Sequence, residues 1–379
     1  MKLQGLLIRN VKVVLSLALI VLSPMSNAQA ENDHLDVRAQ LTTSYDDNVT
    51  FAHTNQKRDF LESVLLGIDL KADSSRNRLL GQLDLTRNFY FDNSSFDNTA
   101  VGLRLRDDFE VSQRLRLNAT DDFTSAEAPN SFDDEFGRTN GRYRTDKNEL
   151  GLGADYDLSS HTLFQWTYGH EYTGYSRRDL SDTDMHRTGG RIQYAFDEAN
   201  RIGAGYDYSH RFFATGNEIV DHTVYGDYGH NFTRQLSLNL KAGEDFIDSE
   251  RTGNAQNVRY EASLTNDVNA TTRGVLKYTR GLSSYANSEN LFDSYRLSLT
   301  FGRELTQRMV VYGSGFYGVG EYQQTRIKDK LSGIGIGLNY SFSDEVSARI
   351  NYSFSETDSS QATRSYQRNL ISLSTTMRF

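Results

Sequence analysis

The sequence predicts an all-β chain: a transmembrane antiparallel up-and-down β-barrel of about eighteen strands. Three observations predict it. After residue 34, runs of about 9–14 residues alternate apolar and polar side chains, the period of a strand with two unlike faces. The connections between runs alternate short and long. Mean hydropathy is −0.60, so beyond the N-terminal segment no stretch has the length and apolarity of a membrane-crossing helix.

The N-terminal segment reads as a secretory signal. Lys2, Arg9 and Lys12 form a basic start, Val13 to Leu22 is an apolar run with serine, and Ala28-Gln29-Ala30 offers a small-x-small cleavage site. Residues 1–30 are therefore expected to be removed, leaving 31–379 as a single outer-membrane barrel. The mature chain then keeps 38 of the 41 Lys and Arg residues against 50 Asp and Glu, a net charge of −12. That balance argues against nucleic acid, which needs a basic footprint.

Strands are expected near 35–46, 59–71, 78–91, 99–111, 114–124, 145–157, 160–173, 184–196, 199–213, 219–231, 234–247, 256–267, 270–282, 292–304, 307–322, 329–342, 346–356 and 366–379. The run 329–342 shows the pattern best. Ile334, Ile336, Leu338, Tyr340 and Phe342 share one face; Gly333, Gly335, Gly337, Asn339 and Ser341 share the other. Short connections such as Ser112-Gln113, Glu198-Ala199, Thr306-Gln307 and Asp344-Glu345 belong in the periplasm. Longer ones such as 47–58, 125–144 and 357–365 belong outside, with the N-terminus periplasmic. The two prolines, Pro24 and Pro129, avoid every strand, as they must where each backbone N–H serves the ladder.

Aromatic residues are expected as two interfacial girdles. Phe89, Tyr90, Phe91, Phe123, Tyr172, Phe212, Phe246, Tyr322 and Phe354 mark the outer ends; Tyr194, Phe196, Phe232, Phe301, Tyr340, Phe342 and Phe379 mark the periplasmic ends. The last strand alternates Ile371, Leu373, Thr375, Met377 and Phe379. It resembles the C-terminal signal read by the barrel assembly machinery, with Phe379 as its terminal residue.

The opposite stripe should line the lumen. It carries Asp36, Arg38, Asp69, Lys71, Asp84, Arg104, Arg106, Asp108, Arg116, Asp122, Glu149, Asp155, Arg187, Arg191, Asp207, Arg211, Asp227, Lys241, Arg259, Glu261, Arg273, Lys277, Arg296 and Arg349. Such charges cost several kcal/mol each in hydrocarbon, and barrels of this size enclose water. Interspersed signs fit cross-strand ion pairs that stiffen the wall. They also fit a lining suited to neutral or weakly charged polar solutes.

Catalytic and metal chemistry find no support. Cysteine is absent, which removes thiolate sites. The histidines at 34, 53, 161, 170, 186, 210, 222 and 230 show no metal-ligand spacing, and no serine sits in a nucleophile elbow. No cofactor and no enzymatic activity are expected. Loop 125–144, with Asp133, Asp134, Glu135, Arg138, Arg142 and Arg144, could be solvated, bind Ca²⁺ or fold inward as a gate.

Ser44-Tyr45-Asp46-Asp47-Asn48-Val49 closes the first strand. With the signal, the regular hairpins and Phe379, this motif resembles the β-barrel porin type 2 family encoded with exopolysaccharide and capsule genes. Tyr45, Asp46, Asp47 and Asn48 are its family-pattern residues. The resemblance implies an outer-membrane conduit in polysaccharide export, partnered by outer-membrane lipid, periplasmic export proteins and a polysaccharide chain. Two other readings fit the residues: a general diffusion porin for small polar solutes, and a non-conducting surface-binding barrel. The sequence does not fix the oligomeric state.

Overall fold

The computed structural model describes residues 32–127, 141–284 and 290–379. The expected signal, residues 1–30, lies outside the described residues, as do Pro129, Asp133, Asp134, Glu135 and Arg138.

Among the described residues eighteen strands form one sheet. They are β1 (Asn32–Asp46), β2 (Asp59–Asp73), β3 (Asn77–Tyr90), β4 (Asn98–Glu110), β5 (Leu115–Ala126), β6 (Thr145–Asp157), β7 (Thr162–Tyr175), β8 (Thr183–Ala195), β9 (Asn200–Phe213), β10 (Glu218–Asn231), β11 (Leu236–Ser249), β12 (Ala255–Asn269), β13 (Thr272–Ser284), β14 (Leu291–Thr306), β15 (Met309–Tyr322), β16 (Lys328–Ser341), β17 (Val346–Ser359) and β18 (Tyr366–Arg378). Each pairs antiparallel with the next, and β1 pairs with both β2 and β18, so the sheet closes without an edge. Two 3-10 turns, Ser94–Phe96 and Ala362–Arg364, sit in loops at the long-loop end.

The fold follows from period two. Outward faces carry exposed Leu66, Leu85, Ile192, Leu299, Ile336 and Ile371. In water so much contiguous apolar surface would drive association; in a bilayer it is the contact surface. Strands run from 12 to 16 residues, longer than the roughly 9–11 that cross a bilayer at a tilt, so their ends stand clear of the hydrocarbon.

Connections on one side span 74–76, 111–114, 158–161, 196–199, 232–235, 270–271, 307–308 and 342–345. The two tightest, 270–271 and 307–308, each adjoin a register shift, at Asp267/Asn269 and Glu304/Thr306. A bulge there adds the local twist that a two-residue connection needs. In the 196–199 turn Asp197 Oδ1 accepts the N–H groups of Ala199 and Asn200 at 2.8 and 2.7 Å. The Asn200 side chain, together with these N–H groups, holds the Asp197 carboxyl below its ordinary range.

The girdles follow the sequence pattern with two corrections. Phe89, Phe91, Phe212 and Phe246 are exposed at the outer end, and Tyr194, Phe196, Phe232, Phe301, Phe342 and Phe379 at the other. Tyr90 and Tyr322 are instead buried. Parity is the reason: Tyr90 shares the inner face of β3 with Asp84, and Tyr322 that of β15 with Phe316.

At the seam β1 pairs with β18 from Arg38↔Arg378 to Asp46↔Leu370. Phe379 extends this ladder: its N–H donates to the Val37 carbonyl at 2.9 Å, and its carbonyl accepts the Val37 N–H at 3.1 Å.

Candidate functional site

The inner wall is charged and largely self-paired. Arg38 bridges two carboxylates, Asp69 at 3.1 Å and Asp84 at 2.7 Å. Arg104 meets Asp122 at 2.6 Å, Arg106 meets Asp108 at 2.8 Å, and Arg116 meets Asp157 at 2.9 Å. Arg191 pairs with Asp227, and Lys241 reaches Asp207 at 3.5 Å. Arg259 donates to Asp245 at 2.9 Å, Arg273 faces Asp267 at 3.5 Å, and Lys277 faces Glu261 at 3.1 Å. Asp155 accepts from Gln165 at 3.0 Å. Two arginines lie over inner-face aromatics, Arg296 over Phe316 at 4.4 Å and Arg349 over Tyr312 at 5.8 Å. Arg187 crosses above Gly169 on β7, where a Cβ would meet its Nε at 2.6 Å, so only glycine lets the guanidinium lie flat on the wall.

This wall is not uniform along the barrel axis. Toward the short-turn end the side chains of Arg106 and Arg273 are 57% and 67% exposed. Toward the long-loop end those of Arg368 and Arg211 are 10% and 7% exposed. Side chains of the inner wall are therefore buried toward the long-loop end and wet toward the short-turn end.

Part of that burial comes from loop 47–58. Asp46 turns inward from β1 and accepts two hydrogen bonds from Arg368 of β18, at 3.0 and 2.9 Å. Its other oxygen accepts the Asn48 N–H at 2.9 Å. Asn48, fully buried, donates its side-chain amide to the carbonyls of Ala52 and Gln367 at 2.9 and 2.8 Å. Asp47 holds Asn369 through backbone and side chain, both at 2.7 Å. Tyr45 points outward, its ring 5.1 Å from that of Phe60. These four residues, expected only to end a strand and start a turn, do more than that: Asp46, Asp47 and Asn48 lock the closing seam and tuck the loop against it.

Phe51 is what the tucked loop delivers. It is buried, with φ at 52°, a conformation that a bulky residue keeps only when its surroundings hold it. Its ring meets Tyr366 edge-on at 5.4 Å and lies under the Arg368 guanidinium at 4.7 Å. From the neighbouring long loop, the Gly141 N–H donates to the Thr50 carbonyl at 3.1 Å. Arg142 donates to the Tyr90 hydroxyl at 2.9 Å and to Glu127 at 3.1 Å. Arg144 reaches Ser125 Oγ and the Thr99 carbonyl, both at 2.9 Å.

Elsewhere on the wall the packing is apolar. Phe213, Ile219, Ile247, Leu282 and Leu291 form one buried cluster; Phe292, Phe316, Tyr322 and Leu331 form another. Arg364 caps the second, donating to the Tyr322 hydroxyl at 2.9 Å and to Asp329 at 2.8 Å. Burial would lower the Arg364 pKa, but Tyr322 and Asp329 outweigh it and raise the pKa. Apart from Tyr322, expected in the outer girdle, these residues were not singled out in the sequence. The available signal was apolar side chains occupying the polar stripe close to the long loops.

One further correction concerns histidine. No metal-ligand spacing was expected, yet His170, Asp184 and His186 come together, their donor atoms within 4.8 Å of one another. Strand register, which places His170 opposite His186, does what sequence spacing does not show.

Known proteins agree with this architecture. The chain is similar in structure to Pseudomonas aeruginosa OccK2 (OpdF), with a TM-score of 0.51, 10% identity, and coverage of 93% of this chain and 99% of that one. It is also similar to Acinetobacter baumannii OccAB2, with a TM-score of 0.50, 10% identity, and coverage of 93% and 100%. At that identity the likeness concerns the fold, an outer-membrane porin-type barrel. No curated protein sequence matches the chain. Residues 247–379, from the end of β11 through β18, match the family described as "Putative beta-barrel porin 2", the family that the hairpin plan and Phe379 resemble; Tyr45, Asp46, Asp47 and Asn48 lie outside the matched residues.

Proposed function

We propose that this barrel is an outer-membrane channel for small polar solutes, narrowed at its extracellular mouth. The observation that carries the reading is the asymmetry of the inner wall. A water-accessible lining of mixed charge opens toward the periplasm, and a packed collar of Phe51, Arg368, Arg142 and the two apolar clusters surrounds the outer mouth. Alternating Arg and Asp along a wet wall present donors and acceptors to a hydroxylated solute without a net field that would reject either sign of charge. A porin fold and porin family point to a channel rather than an enzyme.

The family resemblance also implies passage of an exported polysaccharide chain. In that role loop 47–58, packed against the seam through Asn48 and Phe51, is the segment that would move aside. Swelling of liposomes containing the refolded protein separates the two roles. A channel for small solutes admits monosaccharides and excludes longer oligosaccharides. Equal entry of long oligosaccharides favours the polysaccharide conduit, and no entry of any sugar contradicts both.

A further inference from the structure

Among the described residues, the outward wall of β7 and β8 brings together three side chains that could hold a metal ion. His170 of β7 and His186 of β8 are register partners, and Asp184 lies two residues from His186 on the same face. His170 Nε2 is 3.0 Å from Asp184 Oδ1, and His186 Nε2 is 3.3 Å from the same oxygen. The imidazole centroids are 4.8 Å apart.

A tetrahedral site with bonds of 2.0–2.1 Å separates its donor atoms by about 3.4 Å, so the carboxylate oxygen already stands at ligand spacing from both imidazoles. The Tyr168 hydroxyl bonds His186 Nδ1 at 2.9 Å. That contact fixes the ring and leaves Nε2 for a ligand, the arrangement that outer-shell partners give metal-binding histidines.

The group sits near the long-loop end of both strands. It lies beyond exposed Phe164 and Trp166 on β7 and Ile192 and Tyr194 on β8, at interface depth rather than mid-membrane. Its three side chains are partly exposed, leaving open coordination positions for water. Other polar groups face it: Asp121, which interacts electrostatically with His170, and His210, the register partner of His186, which is engaged with Glu218 at 2.9 Å.

We propose that His170, Asp184 and His186 bind one divalent late-transition cation, of which Zn²⁺ is the test case, joining β7 to β8 at the outer membrane interface. Two imidazoles and one carboxylate favour such ions over the hard Mg²⁺ and Ca²⁺, which take oxygen ligands.

The test is calorimetric titration of the refolded, chelator-treated barrel with Zn²⁺ at neutral pH. Folding of each variant is checked by its heat-modifiable migration. The expected result is saturable binding of about one equivalent, not displaced by Mg²⁺ or Ca²⁺, with two nitrogen ligands by X-ray absorption. His170→Ala, His186→Ala and Asp184→Asn should each weaken it about 100-fold or more, Tyr168→Phe about tenfold, and His210→Ala should not change it. Absence of saturable binding overturns the proposal, as does binding that survives His170→Ala together with His186→Ala.

Discussion

Arg368 and Asp46 join the last strand of the barrel to the first: both hydrogen bonds from the guanidinium converge on a single carboxylate oxygen, at 3.0 and 2.9 Å. Both side chains are nearly withdrawn from water. The pair therefore does two things at once. It closes β1 on β18 at the outer rim, and it orders the loop that presents Phe51. Removing one partner strands the other as a buried charge, a loss of about 3 kcal/mol. Arg368→Ala should lower the denaturant midpoint of the refolded protein, whereas Arg106→Ala, on the exposed part of the wall, should barely move it.

Phe51→Ala probes the loop while keeping both partners of the Asp46–Arg368 hydrogen bonds. An edge-on ring contact and a cation–π contact disappear together, about 1–2 kcal/mol in all. Loop 47–58 should loosen and single-channel conductance should rise while the barrel stays folded. Unchanged conductance would mean that this loop does not limit flow.

Lipid and lumen faces should answer differently to charge. Ile336→Arg places a cation mid-strand on the exposed face of β16 and should cost about 2–4 kcal/mol. Thr300→Arg on the inner face of β14 should cost little and shift ion selectivity toward anions. Reversal potentials in a salt gradient, with unfolding midpoints of both variants, check the pair.

The Asp197 turn gives a pH-dependent signal. Its carboxylate is held below the ordinary range by Asn200 and two N–H groups. The turn's contribution to stability is therefore present above the unfolded carboxylate pKa and is lost as pH falls through the lower, folded value. Carbon-13 titration of the Asp197 carboxyl should give a midpoint below that of exposed aspartates. A midpoint in the normal range would contradict the geometry.

Much of the barrel was legible because strand parity is a two-residue rule that local composition obeys. Ile334 and Ile336 against Gly333 and Gly335 set the faces of β16, and the same rule places Arg104, Arg187 and Arg259 on the inner wall. Parity alone did not show what fills the wall. Phe213, Ile219 and Ile247 occupy lumen positions near the rim, where a rule of apolar outside and polar inside reads them as exceptions. They make sense only once loops cover them. Tyr90 and Tyr322 were misplaced for the same reason, being aromatic, close to a strand end and on the inner face. The Asp46–Arg368 pair joins residues 322 apart in sequence, and the His170–His186 contact depends on register. Neither leaves a spacing that a single sequence displays.

The most direct test of the central claim is single-channel conductance of the refolded barrel, inserted with known orientation, with neutral polymers of graded size added to one side at a time. A channel narrowed at its outer mouth predicts steady openings and an asymmetric size limit, the periplasmic side admitting larger polymers than the extracellular side. An equal limit from both sides, or a silent bilayer from correctly folded protein, would contradict it.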